Sequence, residues 1–243
     1  MSRMLSYDSP FMNFMTKVAN LMWANFLFIV CSLPVLTFGA SSTSLYYITI
    51  KVIKNEEVSV TKAFFKSFKE NFKQSTIIWL GLLIGYIFFG FDLYIFYKNP
   101  DKYNLYLKMI VLLFVVVWSF VFMHIFPYIS HFKSSTKDTI KNSLVIALTH
   151  IVKTVFMIAI SIFPVVWAFG QYKLVPFVFL IAFAFCAFVN SIWLVKIYDE
   201  IEKNYSLIEE YHDRFEEFES DENSELEKKA VKLVADADEA QEE

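Results

Sequence analysis

Histidine and cysteine are the side chains in this chain whose chemistry could bind a metal ion or attack a substrate. The chain has four histidines and two cysteines: His124, His131, His150, His212, Cys31 and Cys186. No two histidines stand four residues apart with a glutamate between them, so the helix of a zinc hydrolase is missing. No G-x-S-x-G turn, which would present a nucleophilic serine, occurs either. The sequence therefore predicts no catalytic residue, no metal and no cofactor.

Three polar residues interrupt long apolar stretches: Asp92, His124 and Asn190. An ionisable group inside a membrane helix costs about 2.5–3.5 kcal/mol on insertion scales, so it usually faces protein or water. A polar path for transport past Asp92 and His124 is one interpretation. In the other, Asp92 reaches the outer interface, His124 is a buried hydrogen-bonded histidine, and Asn190 bonds to a neighbouring helix. Both interpretations stay open at this point.

Five apolar stretches must position these residues. Each is close to the ~20 residues that a helix needs to cross about 30 Å of hydrocarbon. The chain is 56% hydrophobic and contains 28 Phe against 5 Gly, more apolar surface than one soluble core of 243 residues can bury. We predict an all-α polytopic membrane protein with spans at Asn20–Phe38, Thr76–Tyr97, Leu105–Pro127, Thr154–Phe169 with a lead-in from Leu144, and Leu174–Ile197.

A break near the amino end leaves the number of helices open. Residues 11–33 are typical of a helix that runs into Pro34, where proline interrupts the backbone hydrogen bonds. Gly39 permits a turn, and residues 40–54 predict a short sixth helix. If that segment returns across the bilayer, the N-terminus lies inside; otherwise it lies outside. Gly39, Ser41 and Ser42 favour close packing between helices over a phosphate site, because the spacing of a P-loop is absent.

Positive charge is concentrated in two connectors. The first, 58–74, contains Lys62, Lys66, Lys69 and Lys73, and the second, 131–143, contains Lys137 and Lys141. Lysine-rich loops stay in the cytoplasm, so the C-terminus is expected there too. Residues 199–243 carry 18 acidic and 5 basic side chains, a net charge of −13. We therefore divide the chain into a membrane domain (1–198), an amphipathic cytoplasmic helix (199–219) and an acidic disordered tail (220–243).

The first connector has the pattern of an amphipathic helix. Its phenylalanines recur with helical spacing on one side and its lysines on the other. Such a helix is expected to lie in the headgroup plane and bind anionic lipid headgroups. The alternative is a docking helix for a partner subunit. We expect the lipid bilayer as the main partner and no nucleic acid.

The run NFLFIVCSLPVLTFGASSTSLYYITIKVIKNEE (25–57), followed by FFKSFKENFKQSTIIWL (64–80), resembles the YesL family of bacterial integral membrane proteins. The resemblance is specific over about 25–80 and does not include the acidic tail. It implies a multi-pass protein of the bacterial plasma membrane with no assigned activity, encoded beside carbohydrate ABC importers. The family supplies no catalytic residues.

Three functions follow in order of preference. The first is an accessory or regulatory protein of carbohydrate uptake that contacts subunits of an ABC importer. The second is a transporter or channel subunit with a path near Asp92 and His124. The third is a membrane enzyme.

Overall fold

The described part of the chain is built entirely from helices. The computed structural model describes residues 10–99, 102–170 and 182–207. A short 3-10 helix, Val35–Thr37, follows the first α-helix. The α-helices are α1 (Pro10–Ser32), α2 (Phe38–Ile53), α3 (Val60–Lys98), α4 (Leu105–His131), α5 (Thr136–Thr149), α6 (Ile151–Gly170) and α7 (Ala182–Leu207). The all-helical prediction is confirmed.

Among the described residues, four helices are long and apolar enough to cross a membrane: α1, α3, α4 and α7. Helices α5 and α6 pass the same test together but are bent by 99° at His150, so they are either one broken span or a re-entrant pair. The described part of the chain thus has the helices of a multi-pass membrane protein, with four or five candidate spans. The lead-in from Leu144 belongs to α5, a separate helix, and not to a straight fourth span.

Local signals explain several helix ends. Helix α1 stops before Pro34, and the short 3-10 helix joins it to α2. Helix α2 ends in a turn where Asn55 has a φ of 56°, a left-handed conformation that asparagine tolerates. At the start of α5 the Ser135 side chain accepts a hydrogen bond from the Asp138 N–H at 3.3 Å. The short sixth helix predicted at 40–54 is present as α2 (Phe38–Ile53).

Helix α2 lies at the centre of the packing. Its residues from Gly39 to Leu45 are all buried. One apolar cluster joins α1, α2, the first half of α3 and the start of α7, with Phe28, Ile48 and Phe64 among its members. A second cluster joins α3 to α4 around Ile125 and Phe126. A 16-residue helix covers only about 24 Å, so α2 is a core helix more than a full span.

The second half of α3 and the first half of α4 present apolar side chains outward. Ile84, Phe88, Phe91, Leu113 and Phe114 are all more than half exposed. A soluble monomer rarely exposes an apolar surface of this extent, whereas lipid solvates it. The two helices pair through aromatic side chains, including Phe89 on Trp118 and on Phe114.

The chain divides into two compact units, Met1–Val195 and Lys196–Glu243. In the second unit the structure describes residues 196–207, which complete helix α7. The predicted amphipathic helix at 199–219 is described only up to Leu207. Its remainder and the predicted acidic tail, 220–243, lie outside the described residues, as do residues 174–181 of the predicted last span.

Candidate functional site

A hydrogen bond between His124 and Thr154 lies beside the bend between α5 and α6. His124 is fully buried on α4, and its Nε2 lies 2.8 Å from Thr154 Oγ1 on α6. The Thr154 hydroxyl donates to backbone carbonyls, Ala147 O at 3.2 Å and His150 O at 3.1 Å. Because a hydroxyl has one hydrogen, Thr154 accepts from His124, whose Nε2 must then carry the proton.

The other nitrogen of His124 is an acceptor without a donor. Among the described residues, His124 Nδ1, His150 Nδ1 and Ser143 Oγ are buried atoms with no hydrogen-bond partner. Ser143 lies on α5 and His150 at the bend between α5 and α6, while His124 lies on α4, which contacts α6 through Thr154. An unpaired polar atom in a low-dielectric interior costs free energy. This group, which we call the bend site, can accept hydrogen bonds.

A second polar group connects α6 to α7 and α2. Asn190 Nδ2 donates to Ser161 Oγ at 3.0 Å, and Asn190 lies within reach of the Tyr46 hydroxyl. The next residue, Ser191, pairs with Thr49 at 2.8 Å. Thr154 and Ser161 stand seven residues apart, so they share one face of α6 about 10 Å from each other. One face of α6 therefore carries both polar groups.

These polar side chains are suited to holding neighbouring helices together through hydrogen bonds. Each polar contact joins two helices, as polar side chains in membrane bundles commonly do. Within residues 10–99, 102–170 and 182–207, no three His, Cys, Asp or Glu side chains come together as metal ligands would.

The structure does not bring Asp92 to the bend site. Asp92 is half-buried on α3, between Phe89, which stacks on Phe114 of α4, and Phe96, which contacts Tyr103 in the turn before α4. His124 lies ten residues beyond Phe114, about 15 Å along the helix. Among the described side chains, Asp92 takes part in no ion pair. A path that uses both groups would have to run along much of α4.

The proposed packing residues lie where α1, α2 and α3 meet. Pro34 precedes the short 3-10 helix, and Ser41 and Ser42 are buried in α2. A Cβ added to Gly39 would lie 2.4 Å from Ser75 O and 2.8 Å from Trp79 Cβ. The α2 backbone therefore touches α3, and only a residue without a side chain fits there.

The first lysine connector, 58–74, does not form the separate helix that the sequence predicts. Residues 60–73 are the first part of α3 and continue into its apolar half without a break, so they do not form a separate helix in the headgroup plane. Lys62, Lys66, Lys69 and Lys73 are all exposed, as are Lys137 and Lys141 on α5.

The sequence did not predict which side chains form hydrogen bonds with His124 and Asn190. Thr154, Ser161, Thr49 and Ser191 each make a polar contact between helices, at 2.8–3.0 Å. Thr154 and Ser161 had a detectable signal, because two hydroxyls at seven-residue spacing in an apolar run mark one helix face. No sequence pattern linked Thr49 to Ser191, which are 142 residues apart.

We expect Thr154→Val to lower stability by about 1–3 kcal/mol, because the buried His124 N–H loses its acceptor while helix shape is kept. Thermal unfolding in detergent measures the effect. Thr149→Val is the control, since Thr149 is exposed and bonds only to Val145 O in its own helix. Adding His124→Leu to Thr154→Val should recover part of the loss, whereas strictly additive effects would show that the two side chains are not coupled.

Comparison with known proteins adds a family-level finding. Residues 20–93 match a family described as "Protein of unknown function, DUF624". The chain is also similar to "Uncharacterized protein YteU" of Bacillus subtilis (strain 168), with 26% identity over 164 residues, 67% of this chain and 71% of that protein. No solved structure matches the chain. These similarities support an uncharacterised bacterial family, and neither description names an activity.

Proposed function

We propose that this protein is a multi-pass membrane protein that acts as an accessory or regulatory component of carbohydrate uptake. In this role it binds other membrane components and performs no catalysis. The observation that supports the proposal is the use of its interior polar groups, which pair between helices in contacts such as Thr43 with Ser75 and Thr49 with Ser191. Such contacts hold a bundle together and leave its outer surfaces for binding.

The link to carbohydrate uptake rests on the resemblance to the YesL family. Members of that family are encoded beside carbohydrate ABC importers, so the proposed partner is a subunit of such an importer. The proposed location is the bacterial plasma membrane, with the lysine connectors and the C-terminus on the cytoplasmic side.

Deletion of the protein should change sugar uptake or its induction only in cells that contain the cognate importer. The experiment compares labelled-sugar uptake in four strains, with and without this protein and with and without the importer. The detergent-extracted chain should also co-purify with an importer subunit identified by mass spectrometry. An equal effect of deletion in cells without the importer would contradict the proposal.

A second candidate function is transport through the bend site. The observation in its favour is the broken α5–α6 pair, because interrupted membrane helices often form the binding sites of transporters. Flux through the purified protein in liposomes, reduced by His124→Leu, would support it. Absence of flux for a panel of sugars and ions would favour the accessory role.

A further inference from the structure

Four exposed lysines form a stripe along the first half of α3. Lys62, Lys66, Lys69 and Lys73 follow one another at intervals of four, three and four residues. At 3.6 residues per turn, these positions fall within about 60° of one another around the helix. The buried residues of the same segment, including Val60, Phe64 and Ser67, lie on the opposite side. The lysine stripe therefore points directly away from the core of the protein.

The charges of the stripe are not neutralised by the described part of the protein. Among the described residues, none of the four lysines forms an ion pair, and the acidic side chain within this segment is Glu70. Like charges at four-residue spacing repel one another along a helix. A surface with four such charges is suited to a partner that carries carboxylates or phosphates.

The direction of the stripe argues against a layer of lipid headgroups as that partner. The stripe runs along α3, an unbroken helix of 39 residues that continues into the membrane. From Lys62 to Lys73 the stripe extends about 16 Å along the axis. A headgroup layer is only about 5–8 Å thick on each side of the hydrocarbon. At ordinary tilts of about 20°, that layer reaches no more than about half of the stripe.

Helix α1 and the 3-10 helix pack beside the first half of α3. Trp23 Nε1 donates to Thr61 Oγ1 at 2.8 Å, and Trp79 Nε1 donates to Val35 O of the 3-10 helix at 2.7 Å. The outward side chains of α1 in this region include Phe26 and Val30, which are apolar. The lysines lie on α3 alone, so a partner helix with carboxylates on one face can pair with the stripe without contacting α1.

We propose that the lysine stripe of α3 is a docking surface for a helix of a partner protein that carries an acidic face. The matching face has glutamate or aspartate at positions i, i+4, i+7 and i+11, the spacing of the lysines themselves. Charge complementarity along two packed helices fixes the register of the partner and speeds its association. This proposal deepens the accessory role, because it names the surface and the partner chemistry through which that role operates.

The test uses the full chain in nanodiscs of phosphatidylcholine and two fluorescent peptides of equal composition. One peptide carries glutamates at the matching four positions on an alanine-rich helix, and the other distributes them around the helix. We expect the matched peptide to bind at least ~10-fold more tightly by fluorescence anisotropy. Lys66→Glu/Lys69→Glu should weaken its binding by ~10-fold or more. Lys98→Glu/Lys102→Glu, at the end of α3 and in the turn after it, should weaken it by less than ~2-fold.

A charge swap gives the sharpest control. A peptide with lysines at the same four positions should bind Lys66→Glu/Lys69→Glu more tightly than the unmodified chain. Equal binding of the matched and distributed peptides, or no binding by either, would overturn the proposal. It would also be wrong if the double variant bound the peptide normally but co-purified with less phosphatidylglycerol after extraction from cells, since the stripe would then be a lipid surface. The peptide experiment does not measure dependence on the importer. A negative result would therefore contradict the docking surface but not the accessory role.

Discussion

Gly39→Ala should destabilise the protein by about 2–3 kcal/mol, although alanine is the better helix former. The added Cβ would lie 2.4 Å from the backbone oxygen of Ser75 and 2.8 Å from Trp79 Cβ. A backbone oxygen cannot rotate away as a side chain can, so α2 and α3 must move apart. That movement would also strain the Thr43–Ser75 contact, which is 2.9 Å long. We expect the melting temperature in detergent to fall by about 4–12 °C.

Two other glycines provide matched controls for this prediction. A Cβ added at Gly81 or Gly90 of α3 meets nothing within 4 Å. Gly81→Ala and Gly90→Ala should therefore leave stability unchanged or raise it by up to about 1 kcal/mol, through helix propensity alone. If all three substitutions shifted the melting temperature equally, close contact between α2 and α3 would not be the reason that glycine is required at position 39.

The helices could be predicted from the sequence because their signals are local. Long apolar runs predicted α3 and α4, and Pro34 predicted the end of α1 at Ser32 within two residues. Helix α2 was predicted from the same break. These features depend on hydropathy and backbone chemistry within one segment, and no knowledge of its neighbours is needed.

Two features of the helices escaped prediction for different physical reasons. The segment 60–98 changes from basic to apolar near Gln74, and this change predicts a boundary between a connector and a membrane span. The run from Val60 to Leu80 has neither glycine nor proline, so nothing interrupts its backbone hydrogen bonds and one helix forms. The bend at His150 has no such signal, because neither glycine nor proline stands at positions 149–151. At the bend, the Thr154 hydroxyl bonds back to Ala147 O.

The candidate site was predictable only in part. His124 and Asn190 could be singled out because polar residues are rare in apolar runs. Their partners, Thr154 and Ser161, are 30 and 29 residues away and depend on how α6 crosses its neighbours. Asp92 is singled out for the same compositional reason as His124, because it is a polar residue in an apolar run. The structure nevertheless does not bring it to the bend site. Composition identifies costly residues but does not show which of them meet.

Asn25→Leu should lower stability by about 1–3 kcal/mol, even though it makes a predicted span more apolar. Asn25 is fully buried, and its Oδ1 accepts a hydrogen bond from the Ala184 N–H at 2.8 Å. Ala184 is itself 1% exposed, so its amide would lose that acceptor in a place that water does not reach. Thermal unfolding in detergent measures the loss, and hydrogen exchange at the Ala184 amide should become faster.

Whether Asn25→Leu raises or lowers stability shows whether Asn25 faces lipid or bonds to another helix. If Asn25 faced lipid, leucine would be the better residue and the substitution would stabilise the chain. If Asn25 joins α1 to α7, the unpaired amide outweighs that gain. Asn71→Leu is the matched control, because Asn71 bonds only within α3, to Ser67, and is half-buried. We expect its effect to stay below about 1 kcal/mol. Equal losses in the two variants, or unchanged exchange at Ala184, would contradict a structural bond between the first and last described helices.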